Sequence, residues 1–235
     1  MDDGFSLSAE LAGGDPNAAL REEGVAIRRA WLDEKFSPTL LPFKDELVES
    51  VSERVKEQTE HAAEARRDAT VRGMFAAELA LDVDRVRFSL ASYLRARMRK
   101  LEKFPVHFLL KDKDQNSPLL SAAESMYARG LATALSKLFE ENVIDALPPN
   151  YNHFFYQAAD EDGKYTGPYD MVPTPADGRS ELGLHVFYRV LEDLGDVQFE
   201  ERSVDGFPHE KGTHHFTQYG PKVEELLELG KIELI

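Results

Sequence analysis

Apolar residues in the first two thirds of this chain recur at steps of three and four, which predicts a succession of amphipathic helices. The first starts at Ala18, carries Val25, Arg28, Arg29, Trp31, Leu32 and Phe36, and ends at Ser37-Pro38, where proline disfavours further helix. A second begins near Pro42, follows the seam Leu47, Val51, Val55, Thr59 and Ala62 toward Arg67, and is charged on nearly every other position. The third is the longest. It starts as early as Val71, holds Leu79, Val83, Val86, Leu90, Tyr93, Leu94, Met98 and Leu101 on one face, and stops at Phe104-Pro105. After a polar loop over Lys111 to Pro118, Ser121 and Glu124 stand in capping-box spacing. They open a fourth helix, whose expected buried face is Leu120, Ala123, Tyr127, Leu131, Leu135, Leu138 and Phe139, and Leu147-Pro148-Pro149 closes it.

The period then changes. Residues 150–177 mix aromatics, acids, glycines and prolines without repeat and read as a linker or insertion. Alternating or β-rich runs follow at His185 to Leu191, Val197 to Glu200 and Thr213 to Tyr219. A short helix after Gly220-Pro221 and a last strand over Ile232 to Ile235 complete a small module, and a chain ending in a strand should have that end docked. The expected fold is therefore mainly α, a four-helix N-terminal domain with long antiparallel helices plus a small β-rich C-terminal domain. The expected divisions are a flexible acidic tail (1–17), a helical domain (18–149), the linker (150–177) and a β-rich domain (178–235).

Charge sharpens this picture. The 235 residues include 43 Asp/Glu and 28 Lys/Arg, a formal net charge of −15, which opposes unspecific attraction to phosphate backbones or anionic lipid. Against that background the third helix carries Arg85, Arg87, Arg95, Arg97, Arg99, Lys100 and Lys103. The bases lie toward its C-terminal end and the acids Asp82 and Asp84 toward its start, so a solvated, dipole-matched face is one reading. An Arg-rich surface for an acidic partner is a second, and direct DNA binding by this helix, which the acidic remainder of the chain opposes, is a third. Trp31, the only tryptophan, fits core or interface. In the tail, Asp2, Asp3, Phe5, Leu7 and Leu11 read as an incidental composition or as a short acidic and hydrophobic docking motif.

Chemistry is poorly marked. There is no cysteine, so disulfides and thiol chemistry are excluded, and no glycine-rich phosphate loop, GxSxG or HExxH occurs. His209, Glu210, His214 and His215 form the one suggestive cluster. They read as a polar turn around Lys211-Gly212, or as the ligands of a metal-dependent hydrolase, although His214 and His215 would face opposite sides of a strand. No stretch approaches the roughly 18 apolar residues of a spanning helix, and the acidic N-terminus does not have the form of a secretory signal, which leads to the expectation of an intracellular protein.

Several segments, in order, resemble one family. They are Ala30-Trp-Leu-Asp-Glu-Lys-Phe-Ser-Pro38, Arg85-Val-Arg-Phe-Ser-Leu-Ala-Ser-Tyr-Leu-Arg-Ala-Arg97, Lys100-Leu-Glu-Lys-Phe104, Leu147-Pro-Pro-Asn150, Glu210-Lys-Gly212 and Gly230-Lys-Ile-Glu-Leu-Ile235. Together they are similar to the Sld-five subunits of the eukaryotic GINS complex. The resemblance implies a helical domain joined to a β-rich domain in a non-enzymatic, nuclear DNA replication factor without cofactor. It implies as partners three other GINS subunits, the MCM helicase ring with its Cdc co-activator, and DNA polymerase epsilon. The tail motif would meet the trimeric hub linking polymerase alpha. No membrane and no direct specific nucleic-acid binding is expected. The residues it assigns to subunit interfaces are Trp31, Phe36, Leu90, Tyr93, Leu94, Arg97, Met98, Leu101, Phe104, Leu234 and Ile235. An autonomous helical adaptor outside replication is the remaining alternative.

Overall fold

The computed structural model describes residues 18–65, 72–114, 119–143, 158–159, 165–166, 185–197 and 208–235. The tail motif Asp2, Asp3, Phe5, Leu7 and Leu11, most of the expected linker and the expected strand residues beyond Val197 lie outside them. By internal contacts the chain divides into two compact units. One comprises residues up to Leu32 together with Lys44–Arg95, the other Asp33–Phe43 together with Ala96–Ile235.

The first unit holds α1 (Ala18–Phe36) up to Leu32, α2 (Asp45–Ala65) and α3 (Arg72–Lys103) up to Arg95. Its core uses the seams read from the sequence: Ile27, Ala30, Val51, Val55, Ala62, Val83, Val86 and Tyr93 are buried. The helices approach closely where Gly24 faces Val86, since a β-carbon there would stand 3.0 Å from the Val86 Cγ2. Glu23 ties α1 to α2 by accepting from Ser50 Oγ at 2.6 Å and pairing with Arg54 at 3.2 Å.

In the second unit, α3 ends at Lys103 and a short helix α4 (Pro105–Asp114) starts at once. The same proline that stops α3 opens α4, because the first helical position needs no N–H donor. This helix joins the four expected from the sequence and replaces the first part of the expected polar loop. Asp112 Oδ1 then accepts the Leu119 and Leu120 N–H groups at 2.9 and 3.1 Å. α5 (Ala122–Asn142) begins with the capping box: the Glu124 N–H donates to Ser121 Oγ and the Ser121 N–H donates back to Glu124. Leu40, Leu101, Phe108, Leu119, Leu120 and Ala128 form the helical core of this unit.

Two residue pairs, β1 (Ala158–Ala159) and β2 (Tyr165–Thr166), run antiparallel within the segment expected to be a linker. The C-terminal module is a three-stranded antiparallel sheet in the order β6 (His214–Gln218), β3 (His185–Val190), β7 (Ile232–Leu234). A two-residue ladder of β4 (Gly195–Asp196) and β5 (Pro208–His209) lies in the connection between β3 and β6, earlier than the strand expected from Val197. β3 alternates strictly: Val186, Tyr188 and Val190 are buried, His185, Phe187 and Arg189 exposed. The buried set closes over Val223, Leu226 and Leu227 of α6 (Pro221–Glu228) and over Tyr219, Ile232 and Leu234. Gly230, at a φ of 68°, lets the chain leave α6 and enter β7, with the Lys231 N–H reaching Leu226 O and the Gly230 N–H reaching Leu227 O. The chain's end is thus docked on its own sheet, as a terminal strand requires.

Candidate functional site

No catalytic constellation was expected, so the candidate site is a set of surfaces and the framework that holds them. The framework centres on Arg97. Its side chain is 0% exposed, and its guanidinium meets Glu124 through two bonds of 2.8 and 2.9 Å, Glu34 at 3.1 Å, and the carbonyls of Leu41 and Leu119 at 2.6 and 2.9 Å. Lys100 Nζ adds Glu34 Oε1 at 2.6 Å and the Thr39 carbonyl at 2.7 Å. Burial pushes the Lys100 ammonium below its usual range, and Glu34 opposes that shift. Two cations and two carboxylates make a neutral buried cluster, the form in which buried charge is tolerated.

The sheet module is fastened to the same unit's Asp33–Phe43 segment. The Leu234 N–H donates to Asp33 Oδ1 at 2.9 Å, Ser37 Oγ donates to Tyr219 Oη at 3.0 Å, and Thr39 Oγ1 bonds Tyr219 Oη at 3.0 Å and Glu224 Oε1 at 3.2 Å. Burial, then the nearby Glu224, pushes the Tyr219 hydroxyl up, so it stays protonated and can donate.

These facts bear on the interface expectation. Tyr93, Arg97, Leu101 and Leu234 are 2%, 0%, 1% and 0% exposed within the chain itself. Their side chains are enclosed by the chain's own core, where they serve folding. Phe36 and Ile235 are 40% and 38% exposed, and Trp31, Leu90, Leu94, Met98 and Phe104 keep partial exposure. The remaining basic side chains of α3 divide as well: Arg85 and Arg87 form exposed pairs with Asp82 and Asp84 at 3.1 Å, a solvated arrangement, while Arg95 and Arg99 are exposed.

Two apolar surfaces were not anticipated. On α5 part of the face expected to be buried is open: Tyr127, Leu138 and Phe139 are 40%, 55% and 38% exposed, and Leu131 and Leu135 are half-buried. Among the described residues of that helix, Glu124 and Ala128 are buried. On the sheet, the register sets Phe216 beside Phe187, and the Ile235 N–H donates to the Phe187 carbonyl, so Phe216, Phe187 and Ile235 form a row across β6, β3 and β7. The two phenylalanines are each 57% exposed with rings 4.7 Å apart, and His185 stacks on Phe216 at 5.0 Å. The strand alternation carried this signal, since Phe187 falls on the solvent side of β3.

The histidine cluster is arranged as a stacked network. His209 is buried with its Nε2 2.8 Å from Tyr188 Oη, His215 stacks on it with ring centroids 4.3 Å apart, and His215 Nε2 lies 2.8 Å from Thr213 Oγ1. His214 lies on the exposed side of β6, opposite to His215. Among the described residues no group of three or more His, Asp or Glu is placed to hold a metal ion. Burial, then the neighbours His209 and His214, lowers the His215 pKa. The folded chain therefore binds that proton less readily than the unfolded chain, whose value lies near 6.5. Stability from this group is complete above that value and falls as pH drops through it toward the lowered folded value. Urea midpoints of the sheet module should decline between about pH 7 and pH 5, and His215→Gln should flatten that decline.

Comparison with known proteins agrees with this architecture. Residues 51–143 match the GINS complex protein helical bundle domain, and residues 181–235 match the DNA replication complex GINS protein SLD5 C-terminus. The DNA replication complex GINS protein SLD5 of Arabidopsis thaliana is 33% identical over 213 residues, covering 89% of each chain. That of Xenopus laevis is 30% identical over 243 residues and covers 100% of both, and that of Bos taurus is 31% identical over 216 residues, covering 89% of this chain and 87% of its own. A helical bundle followed by a small antiparallel sheet, matched in order and nearly end to end, makes this chain a member of the SLD5 family of GINS DNA replication proteins.

Proposed function

We propose that the chain works as a non-catalytic, architectural subunit of a heterotetrameric GINS assembly in DNA replication, joined to three sister subunits. The observation that carries this reading is the open face of α5. A helix patterned to bury Tyr127, Leu131, Leu135, Leu138 and Phe139 that instead leaves Tyr127, Leu138 and Phe139 exposed is a helix built for a partner's surface. The partly exposed Trp31, Phe36, Leu90, Leu94, Met98, Phe104 and Ile235 extend the same reading to further subunit contacts.

In the assembled replicative helicase, the proposal places the chain alongside the MCM ring, its Cdc co-activator and DNA polymerase epsilon in the nucleus, with Asp2, Asp3, Phe5, Leu7 and Leu11 reaching the hub of polymerase alpha. The support is the match of residues 51–143 and 181–235 to the family and, for the tail, its acidic and apolar composition. The metal-hydrolase reading of His209, Glu210, His214 and His215 loses support, because those imidazoles are held by Tyr188 and Thr213 or face apart.

Co-expression with the three sister subunits tests the proposal. Leu138→Asp with Phe139→Asp should leave the far-UV spectrum of the chain unchanged and weaken recovery of the complex by about 100-fold or more, because each would bury an unpaired carboxylate. Recovery equal to wild type would overturn the α5 assignment.

A further inference from the structure

One surface of the first unit shares only Trp31 with the expected subunit contacts and differs from them in chemistry. On α3, Leu81, Arg85, Phe88 and Arg95 follow one another at steps of four, three and seven, which sets them along a single outward stripe. Leu81 and Phe88 are 60% and 59% exposed, and the Arg85 side chain is 79% exposed. α1 contributes a second stripe, Arg21, Val25 and Arg28, all exposed, with Val25 at 61%. The two stripes adjoin where Trp31 meets Phe88 edge-on, ring centroids 5.9 Å apart. The outcome is a mixed apolar and guanidinium face, bordered by the exposed carboxylates of Glu22 and Glu78, on a chain of net charge −15. Asp82 and Asp84 also lie beside the α3 stripe, in exposed pairs with Arg85 and Arg87. Exposed pairs of that kind contribute little and exchange readily for an incoming carboxylate.

We propose that this face docks an acidic linear segment of another protein, one whose carboxylates alternate with large apolar side chains. Charge complementarity selects the acid: guanidinium forks bind carboxylates bidentately, and a basic face on an acidic chain attracts anionic segments while the rest of the surface repels them. The exposed Leu81, Val25 and Phe88 select protein over nucleic acid. A phosphate backbone offers nothing for them to bury, and the acidic remainder of the chain opposes duplex approach. The stripe from Leu81 to Arg95 is about 21 Å long, the length of a partner helix of about four turns. Leu81 and Phe88, seven residues apart, match the spacing of apolar anchors on such a helix. This inference goes beyond the assembly reading and does not rest on it.

Trp31 at the edge of the face supplies the assay. The purified full chain is titrated, with its single tryptophan as reporter, against a synthetic amphipathic peptide of about 20 residues carrying Glu and Leu at helical spacing. A composition-matched scramble and a DNA duplex are run beside it. The amphipathic peptide should bind and weaken with added salt, and the scramble should bind at least about tenfold less tightly. Arg85→Glu with Arg95→Glu should reduce binding by about tenfold or more, and Leu81→Ser should reduce it without changing the salt dependence. Thermal melts show that these exposed substitutions keep the fold. Peptide binding that the charge reversals leave unchanged, or no binding at all, overturns the proposal. So does preferential binding of the duplex, which would make this a nucleic-acid surface. Concentration-dependent self-association abolished by the same substitutions would also overturn it, by making a second copy of the chain the occupant.

Discussion

Replacing Arg97 with alanine should destabilise the chain by about 3–5 kcal/mol, read as a shift of the urea midpoint by far-UV circular dichroism. The substitution removes every bond the guanidinium makes and leaves Glu34 and Glu124, 0% and 6% exposed, facing one another without it. Lys100 can satisfy one oxygen of Glu34 but has no bond to Glu124. Arg97→Lys should restore little, since an ammonium cannot supply the fork that grips both Glu124 oxygens and the carbonyls of Leu41 and Leu119 together. Adding Glu124→Gln to Arg97→Ala should recover part of the loss, because the stranded charge, more than the lost attraction, accounts for the cost. Arg95→Ala, two residues earlier and exposed, should change stability by less than about 0.5 kcal/mol. Equal effects of the Arg95 and Arg97 substitutions would contradict the cluster.

The second large effect is expected at the other end of the chain. Leu234→Ala should cost about 2–5 kcal/mol, because Leu234 is 0% exposed and lies between Tyr188 across the strand pair and the apolar side of α6. A module built on so few core residues has little reserve, so the loss should appear as unfolding of the sheet and not as a uniform weakening. Hydrogen exchange resolves the two: amides of β3 and β6 should lose protection while those of α2 keep it. Ile235→Ala, next along the strand but 38% exposed, should cost under about 1 kcal/mol.

Arg97 also shows where reading a sequence stops. Read from the sequence it groups with the basic positions off the apolar face, although Val83, Val86, Leu90, Tyr93, Arg97 and Leu101 continue one seam at steps of three and four, the signal that an arginine occupies a core site. Its partners were not legible, because Glu34 and Glu124 come from distant segments that only the tertiary fold brings together. Helix ends governed by local chemistry were read closely. Ser37-Pro38 closes α1, and Ser121 with Glu124 opens α5, because proline and a capping box act within one turn. Pro105 misled for the same reason in reverse, since a residue that ends one helix is equally suited to begin another. The face of α5 marks a different limit. Periodicity shows that a helix has an apolar side, but it does not say which chain covers that side. Tyr93 and Leu138 carry the same kind of signal in the sequence, and one is enclosed by its own chain while the other is 55% exposed.

The bonds from Asp33, Ser37 and Thr39 to Leu234, Tyr219 and Glu224 join the two ends of the sequence, 180 to 201 positions apart, through side-chain hydrogen bonds. The place of the last strand is therefore written partly near the start of the chain. A substitution at Asp33 or Ser37 should be felt at β7 and Tyr219 before it is felt by their own neighbours in sequence, so a fault at one end of the gene would present as a fault at the other.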